Sequence, residues 1–313
     1  MSRSDDKGRV ISPLRARHWA ILTGTAWLPR KLRVRYRERL LENLQRRMLQ
    51  DCDVIFIRHP KTGGTWLRVM LTHLYAARDG VSRRRVFKAD ELKRQNPALP
   101  HFLITNGRAS WEHVIADAFT GNDPVLQGKK TLFMARDPRD IVVSWHRQYR
   151  KRTKAFKREL LEADLGLDYD PRTLDRWEFI RQPQLGLQGL IDYHNFWTEQ
   201  LADRDDALIM RYEDLRQDTA GTLRQVTDFL GESFTDQQIE DAVAFGSVDN
   251  LRELEHSGYF SNSSLRLRDA TDPDTFKVRK ATVGGYHDDL TPEQTAWVDE
   301  QISNHSDPRL GYR

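Results

Sequence analysis

The feature that most constrains the fold is a buried strand, a glycine-containing turn and an apolar helix in direct succession. Residues 53–58 (DVIFIR) form a short apolar run rich in β-branched residues, which predicts a buried strand. The turn 59–64 (HPKTGG) follows, and residues 65–78 are apolar around most of a helical circumference, as in a buried helix. This order predicts that the turn opens at the edge of a sheet, directly before a helix N-terminus.

Such a turn is suited to bind an anion. Backbone N–H groups at a helix N-terminus attract negative charge, and Gly63 and Gly64 let an oxyanion approach the backbone closely. Lys61 adds a positive charge, and Thr62 and Thr65 add hydroxyl groups. The order differs from the ATP-binding Walker pattern, in which the lysine follows the glycines. Taken alone, the turn is equally compatible with a purely structural role.

Strands and helices alternate along the chain, which predicts an α/β fold with a parallel sheet. Strands are predicted at 53–58, 130–136 and 207–211, and helices at 65–78, 138–152, 187–201, 218–230, 235–245 and 291–303. Asp137 is a good N-cap and Pro138 a good first helical residue for the helix that follows the second of these strands. Residues 257–285 show little periodicity and are predicted as a long loop.

Two further segments carry residues suited to phosphate. Arg136 ends a predicted strand, where a guanidinium can clamp an anion bidentately, and Ser144 lies about two turns into the next helix. Pairing of Arg136 with Asp137 or Asp140 is the structural alternative. In the long loop, Arg279 and Lys280 form an adjacent pair of cations near glycines.

Together the three segments resemble the sulfotransferases that use 3′-phosphoadenosine-5′-phosphosulfate (PAPS). The resemblance runs from Asp53 to Gln294 and is strong in the motifs and weak between them. It implies a three-layer α/β fold with a central parallel sheet, of the P-loop nucleotide-kinase-like type, and PAPS as donor without a metal. The residues that it implies for donor binding are Lys61, Thr62, Gly63, Gly64, Thr65, Trp66, Arg136, Ser144, Tyr212, Arg279, Lys280 and Ala281, the last standing where the family commonly has glycine.

The resemblance implies two catalytic functions. Lys61 is expected to stabilise the charge that develops on the leaving phosphate oxygen. The family's usual general base is a histidine after the second strand, but Asn106 stands there, and an amide is no base at neutral pH. His113 and His101 are the candidates for the base, with Glu112 as a further alternative, and an acceptor that needs no strong base is the remaining one.

Charge divides the chain into two parts. Residues 1–50 carry a net charge of +9 and residues 51–313 about −5, within a total of +4. We therefore expect a basic, helical N-terminal extension (1–50) before a sulfotransferase domain (51–313), with a lid or acceptor-pocket insertion at about 151–188. The extension also holds an apolar stretch with two tryptophans, so residues 15–47 are a candidate for peripheral membrane contact. A helix packed on the domain with an exposed basic face is the alternative.

Composition narrows the class of protein. No apolar run approaches the length of a membrane span, and the single cysteine, Cys52, excludes an intramolecular disulfide. Because residues 1–17 are polar and rich in arginine, we expect no secretory signal there. We expect a cytoplasmic enzyme that sulfates a hydroxyl or amine of a small-molecule, lipid or glycan acceptor, with no nucleic-acid partner; the oligomeric state stays open. The alternatives are a non-catalytic nucleotide- or glycan-binding relative and a nucleotide-dependent phosphotransferase. Binding of nucleic acid by the basic residues 1–50 is a third possibility.

Overall fold

The computed structural model describes residues 13–109, 112–261 and 283–313, and it contains a four-stranded parallel sheet. The strands are β1 (Val54–Arg58), β2 (Phe102–Thr105), β3 (Lys130–Ala135) and β4 (Ala207–Arg211), in the order β2-β1-β3-β4. Val54 pairs with Phe102 on one side and with Lys130 on the other. Because all four strands are parallel, their carboxyl ends meet at one edge of the sheet, which is the edge that carries the turn 59–64.

Helices cover both faces of the sheet. In chain order they are α1 (Pro13–Gly24), α2 (Arg30–Asp51), α3 (Gly64–Asp79), α4 (Glu91–Gln95), α5 (Val114–Thr120), α6 (Pro138–Lys151), α7 (Ala155–Asp164), α8 (Arg176–Ile180), α9 (Leu187–Leu201), α10 (Tyr212–Gln217), α11 (Thr219–Leu230), α12 (Asp236–Phe245), α13 (Val248–His256) and α14 (Pro292–His305).

The alternation of side chains along the strands supplies two separate cores. Ile55 and Ile57 of β1 point to one face, where they pack with residues of α6, α9 and α14. Val54 and Phe56 point to the other face and pack with residues of α3, α11 and α12. Successive strand residues point to opposite faces, so a strand buried on both sides is apolar throughout. The predicted three-layer α/β fold with a central parallel sheet is confirmed.

The two N-terminal helices pack against the rest of the chain. Arg37 of α2 is buried, and it donates to Glu159 Oε2 of α7 at 2.8 Å, to Thr25 Oγ1 at 2.9 Å and to the Leu22 carbonyl at 3.1 Å. Arg33 also pairs with Glu159. These contacts connect α1, α2 and α7, so part of the basic N-terminal segment is used to hold its helices on the protein.

The sequence predictions for the sheet and its main helices agree with the structure. The predicted strands at 53–58, 130–136 and 207–211 correspond to β1, β3 and β4, and Asp137 caps α6 by accepting from the Arg139 N–H. The sequence did not predict the edge strand β2 or the helices α4, α5, α10 and α13, and the structure also shows α7 and α8 within residues 151–188. Most of the predicted long loop 257–285 lies outside the described residues.

Candidate functional site

The turn between β1 and α3 is bent by two residues with positive φ. Lys61 has a φ of 82° and Gly63, the N-cap of α3, has a φ of 88°. Between them Thr62 is fully buried, and its hydroxyl donates to the His59 carbonyl at 3.0 Å. The Trp66 N–H donates to the Gly63 carbonyl at 2.7 Å. The Thr62 hydroxyl therefore closes the turn, and the backbone wraps the N-terminus of α3, where N–H groups and the helix dipole favour an anion.

His59 lies in the floor of this turn. It is buried, and its Nδ1 is 2.8 Å from the Pro60 carbonyl oxygen. Burial lowers the pKa of His59 to about 4. His59 is therefore neutral at physiological pH, and the charges beside the turn come from neighbouring groups such as Lys61.

Gly63 is required by close packing as well as by its φ. A Cβ at this position would lie 2.5 Å from Tyr212 Cδ2, a distance that real Cβ contacts do not show. Tyr212 is buried at the start of α10, directly after β4, and its ring meets the Trp66 ring edge-on with 5.9 Å between centroids. Trp66 in turn donates from Nε1 to the Gly246 carbonyl at 2.7 Å. Gly63, Trp66 and Tyr212, which the sequence predicts to bind the nucleotide, thus pack against one another.

Arg136 joins this unit from the end of β3. Its Nη1 donates to the Lys61 carbonyl at 3.3 Å, and its guanidinium carbon lies 4.3 Å from the centre of the Tyr212 ring. Its Nη2 donates to Asp140 Oδ2 at 3.0 Å. A guanidinium held by one carbonyl, one ring face and one carboxylate is fixed in orientation. It lies beside the turn, so two groups suited to bind anions are neighbours at this edge of the sheet.

Asp140 connects Arg136 to the segment that follows the long loop. It is 4% exposed, and besides Arg136 it accepts from the Gly284 N–H at 3.1 Å and from the Tyr286 N–H at 3.2 Å. Gly284 stands four residues after Lys280 in the sequence. The carboxylate therefore holds together the second motif and the chain directly after the third.

The same edge of the sheet is braced by a second set of polar contacts. Glu213, next to Tyr212, accepts from the Asp137 N–H at 2.9 Å and from the Tyr312 hydroxyl at 2.9 Å. Burial raises the pKa of Glu213 and of Asp137. These contacts tie the start of α6 to α10 and to the C-terminal residues, so the groups around Arg136 rest on a rigid frame.

Glu112 places a carboxylate at the end of β2. Its Oε2 accepts from the Thr105 hydroxyl at 2.7 Å and from the Asn106 N–H at 2.9 Å. Thr105 is the last residue of β2, so this carboxylate lies at the carboxyl edge of the sheet that also carries the turn 59–64. The position at which the resemblance expects a histidine is thus in direct contact with Glu112.

The two histidines predicted as base lie elsewhere. His101 precedes β2, at the amino end of the sheet, where its carbonyl accepts from the Asp53 N–H and its Nδ1 is 2.9 Å from the Asp51 carbonyl oxygen. His113 is the N-cap residue of α5, and its Nε2 lies 2.7 Å from Asp164 Oδ1 at the end of α7. The hydrogen bond to Asp164 raises the pKa of His113. The structure therefore places His101 at the opposite edge from the turn and His113 against α7.

Arg58, which the sequence reading did not single out, lies beside the turn. It is the last residue of β1, and its side chain covers Gly64, where a Cβ would fall 2.2 Å from Arg58 Cδ. Its Nε is buried and has no hydrogen-bond partner in the part of the chain that the structure describes. Burial lowers the pKa of Arg58, and the charges that influence it include Glu112. The sequence feature that could have drawn attention to Arg58 is a basic residue at the end of an otherwise apolar strand.

The remaining predicted residues are placed as follows. Ser144 is half-buried, nearly two turns into α6, and Thr65 is half-buried in the first turn of α3. Arg279, Lys280 and Ala281 lie outside the described residues. Within residues 13–109, 112–261 and 283–313 there is no cluster of three or more His, Cys, Asp or Glu side chains that could hold a metal ion. In these same ranges no helix is both long and apolar enough to span a bilayer.

Comparison with known proteins gives one consistent family. The family model described as "Sulfotransferase domain" matches residues 51–307. Sulfotransferase 2A2 of Mus musculus is 22% identical over 85% of this chain and 89% of its own length. Cytosolic sulfotransferase 1 of Arabidopsis thaliana is 26% identical over 80% of this chain and 77% of its own. The crystal structure of mouse sulfotransferase SULT7A1 complexed with PAP, the desulfated donor, has the same fold, with a TM-score of 0.50 and 18% identity over 81% of this chain and 83% of that one.

Proposed function

This chain belongs to the sulfotransferase domain family, and from that premise we propose how its own residues transfer a sulfuryl group from PAPS to an acceptor. The enzyme is a sulfotransferase with PAPS as donor. The main support for the donor-binding residues is that the turn 59–64, Arg136 and Tyr212 contact one another at one edge of the sheet. A donor with phosphate at both the 3′ and the 5′ end of one nucleoside needs two neighbouring anion sites, and this edge supplies two.

The turn holds the 5′-phosphosulfate end of the donor. The N-terminus of α3 and the residues Lys61, Gly63, Gly64, Thr65 and Trp66 form this site. Thr62, which was expected to offer its hydroxyl to the anion, is fully buried and instead shapes the turn through its hydrogen bond to the His59 carbonyl. Arg136 and Ser144 form the 3′-phosphate site, together with Arg279, Lys280 and Ala281 of the long loop. Tyr212 packs between the two sites and fixes their spacing. Each group acts through charge and hydrogen bonding, which suits a reaction that depends mainly on positioning.

The bound donor supplies the sulfuryl group. As the bond from sulfur to the bridging oxygen breaks, negative charge gathers on the leaving 5′-phosphate oxygen. Lys61 balances this charge with its ammonium group. The acceptor oxygen or nitrogen forms the new bond to sulfur and gives its proton to a base. Preorganised charge of this kind contributes about 10²–10³ in rate, and a positioned base about 10²–10⁴.

Glu112 is the base that the geometry favours. Its carboxylate lies at the catalytic edge and is held by Thr105 and Asn106, so it is oriented before the acceptor binds. His113 is the second candidate. It lies next to Glu112 in the sequence, at the start of α5, but its Nε2 is already hydrogen-bonded to Asp164. His101 is the weakest, because it lies at the amino end of β2. The acceptor is a small molecule with a hydroxyl or amine.

One mutant series separates these bases. Glu112→Gln keeps the hydrogen bonds to Thr105 and Asn106 possible but removes the proton acceptor, and we expect kcat to fall by about 10²–10⁴ while PAP binding is unchanged. His113→Gln and His101→Gln are the matched controls. Loss of turnover in His113→Gln with full activity in Glu112→Gln would reverse the assignment.

Donor binding is tested first, because it needs no acceptor. A thermal-shift titration compares PAP with ADP and Mg²⁺; stabilisation at 100 times the dissociation constant is about 2.7 kcal/mol. We expect PAP alone to stabilise the protein. Lys61→Met should then bind PAP and lose turnover, whereas the surface control Lys93→Met should keep both. Stabilisation by ADP and Mg²⁺ alone would point to phosphotransfer, which the position of Lys61 before the glycines does not favour.

A cytoplasmic location with peripheral membrane contact through residues 15–47 completes the proposal. The similarity to cytosolic sulfotransferase 1 of Arabidopsis thaliana supports the location. The basic and apolar composition of residues 15–47 supports the membrane contact.

A further inference from the structure

Large apolar side chains are exposed mainly on the two N-terminal helices and on the short link between them. Seven large hydrophobic residues are exposed in the described part of the chain, and five of them lie between residues 19 and 40. They are Trp19, Trp27, Leu32, Tyr36 and Leu40. Trp27 is 79% exposed and Tyr36 is 52% exposed. Single exposed apolar residues are normal on proteins, but a concentration of this kind in one segment marks an interaction surface.

The exposed residues of α2 lie opposite its buried face. Val34, Leu41 and Leu44 point toward the protein and are buried. Leu32, Tyr36 and Leu40 recur every four residues, as one stripe along the outer face of the helix. Because the inner face already packs on the domain, this stripe is not needed to hold the helix in place.

Arginines flank the stripe. Arg35, Arg39, Arg46 and Arg47 are exposed, and none of them takes part in an ion pair within the described residues. The outward positions of α2 at 32, 35, 36, 39, 40, 43, 46 and 47 hold no acidic residue. By contrast, Arg33 and Arg37 on the inner side of the helix form ion pairs with Glu159. The outer face therefore combines aromatic and aliphatic side chains with uncompensated positive charge, the chemistry that matches an anionic lipid surface.

We propose that the outer face of α1 and α2 docks on the surface of an anionic membrane, with Trp19, Trp27, Leu32, Tyr36 and Leu40 entering the headgroup region and Arg35, Arg39, Arg46 and Arg47 pairing with lipid phosphates. This deepens the peripheral contact proposed above and names its residues. The contacts of Arg33 and Arg37 with Glu159 transmit the docked orientation to α7 and so to the domain. An enzyme held in this way meets acceptors that are themselves at the membrane surface.

Vesicle co-sedimentation of the full chain tests the surface. The probes are vesicles of phosphatidylcholine alone and of phosphatidylcholine with about one third phosphatidylserine. Each arginine near an anionic surface adds about fivefold to binding, so Arg35→Gln with Arg39→Gln should weaken binding to the anionic vesicles about 25-fold. The matched control is Arg83→Gln with Arg181→Gln, which removes the same charge from exposed positions elsewhere. Trp27→Ala should weaken binding about tenfold, also at high salt, because it removes apolar contact.

The PAP-induced thermal shift is measured on every variant, so a failure of membrane docking is distinguished from a failure of the donor site. Salt-sensitive binding to anionic vesicles that the control variant keeps supports the proposal. Binding that is equal for both vesicle types, absent for both, or lost equally in the control overturns it. A concentration-dependent dimer that Trp27→Ala dissociates, without vesicle binding, would assign the face to a second copy of the chain and also overturn it.

Discussion

Replacement of Asp140 by alanine is the sharpest test of how the proposed donor site is held together. The carboxylate is 4% exposed and accepts three hydrogen bonds, from Arg136 Nη2 at 3.0 Å, from the Gly284 N–H at 3.1 Å and from the Tyr286 N–H at 3.2 Å. Removing one partner of a buried ion pair costs about 3–5 kcal/mol. The two backbone donors lie in a short segment that can turn to water, so we expect a loss at the low end, about 3 kcal/mol. For a chain of this size that lowers Tm by roughly 5 °C.

Ligand binding then separates positioning from general damage. PAP and AMP differ only in the 3′-phosphate, which the proposed site assigns to Arg136. Without Asp140, Arg136 loses one of its anchors and Gly284 loses its attachment, so we expect the affinity for PAP to fall about tenfold or more, which is about 1.4 kcal/mol. The affinity for AMP should change less than about twofold. Isothermal titration of both ligands measures the difference directly.

Asp299→Asn is the matched control for Asp140→Ala. Asp299 is half-exposed and pairs with Arg139 at 2.5 Å, so the variant removes the same charge without touching Arg136. We expect it to bind PAP and AMP as the unchanged protein does. An equal loss of PAP and AMP affinity in Asp140→Ala would show a merely structural role for the carboxylate. A gain in PAP affinity would show that its negative charge opposes the phosphate, and the reasoning would be refuted.

Three further substitutions follow from the geometry. Gly63→Ala places a Cβ 2.5 Å from Tyr212 at a φ of 88°, so the free energies of unfolding and of PAP binding should each fall by at least about 1–3 kcal/mol. Gly80→Ala is the control: its φ is also positive but the space around it is open, so it should lower stability and leave PAP binding unchanged. His194→Phe should stabilise the fold, because both ring nitrogens are buried without hydrogen bonds in the described structure. Burial lowers the pKa of His194 to about 3, so the unfolded chain binds the extra proton below pH 6.5, and the Tm advantage of the variant should widen as the pH falls from there; a constant gap would contradict this. Arg58→Met should raise the unfolding free energy, since it removes a partly buried charge whose Nε has no hydrogen-bond partner in the described structure; a lower unfolding free energy in chemical denaturation would contradict this.

The fold was largely predictable because its signals are local. The strands β1, β3 and β4 are short apolar runs, and β1 and β3 are buried along nearly their whole length, as is typical of central strands of a parallel sheet. Helix starts are equally local: Thr235 and Thr291 each form a capping box with the glutamine three residues later. Helix α13 was not predicted. Only Leu251 and Glu255 of its nine residues are buried, so its apolar periodicity is weak.

The charge pattern shows what sequence alone leaves undetermined. A basic N-terminal segment is visible from composition, but Arg37 and Arg39 of the same helix have opposite functions in the structure. Arg37 is buried against Glu159, whereas Arg39 faces solvent. The phase of the helix decides this, and the phase is set by Val34 and Leu41, which pack inward. Once that phase is known, the outer stripe and its flanking arginines follow directly.

The proposed general base, Glu112, illustrates the same limit at the carboxyl edge of the sheet. Along the chain, the position at which the family motif has its histidine holds Asn106, whose amide cannot accept a proton. In the folded structure the backbone N–H of Asn106 donates to the carboxylate of Glu112, which stands six positions later in the sequence. The Thr105 hydroxyl holds the same carboxylate oxygen. A carboxylate brought to this edge by the turn after β2 can serve where the histidine is missing, so the absence of the family residue does not imply the absence of the function.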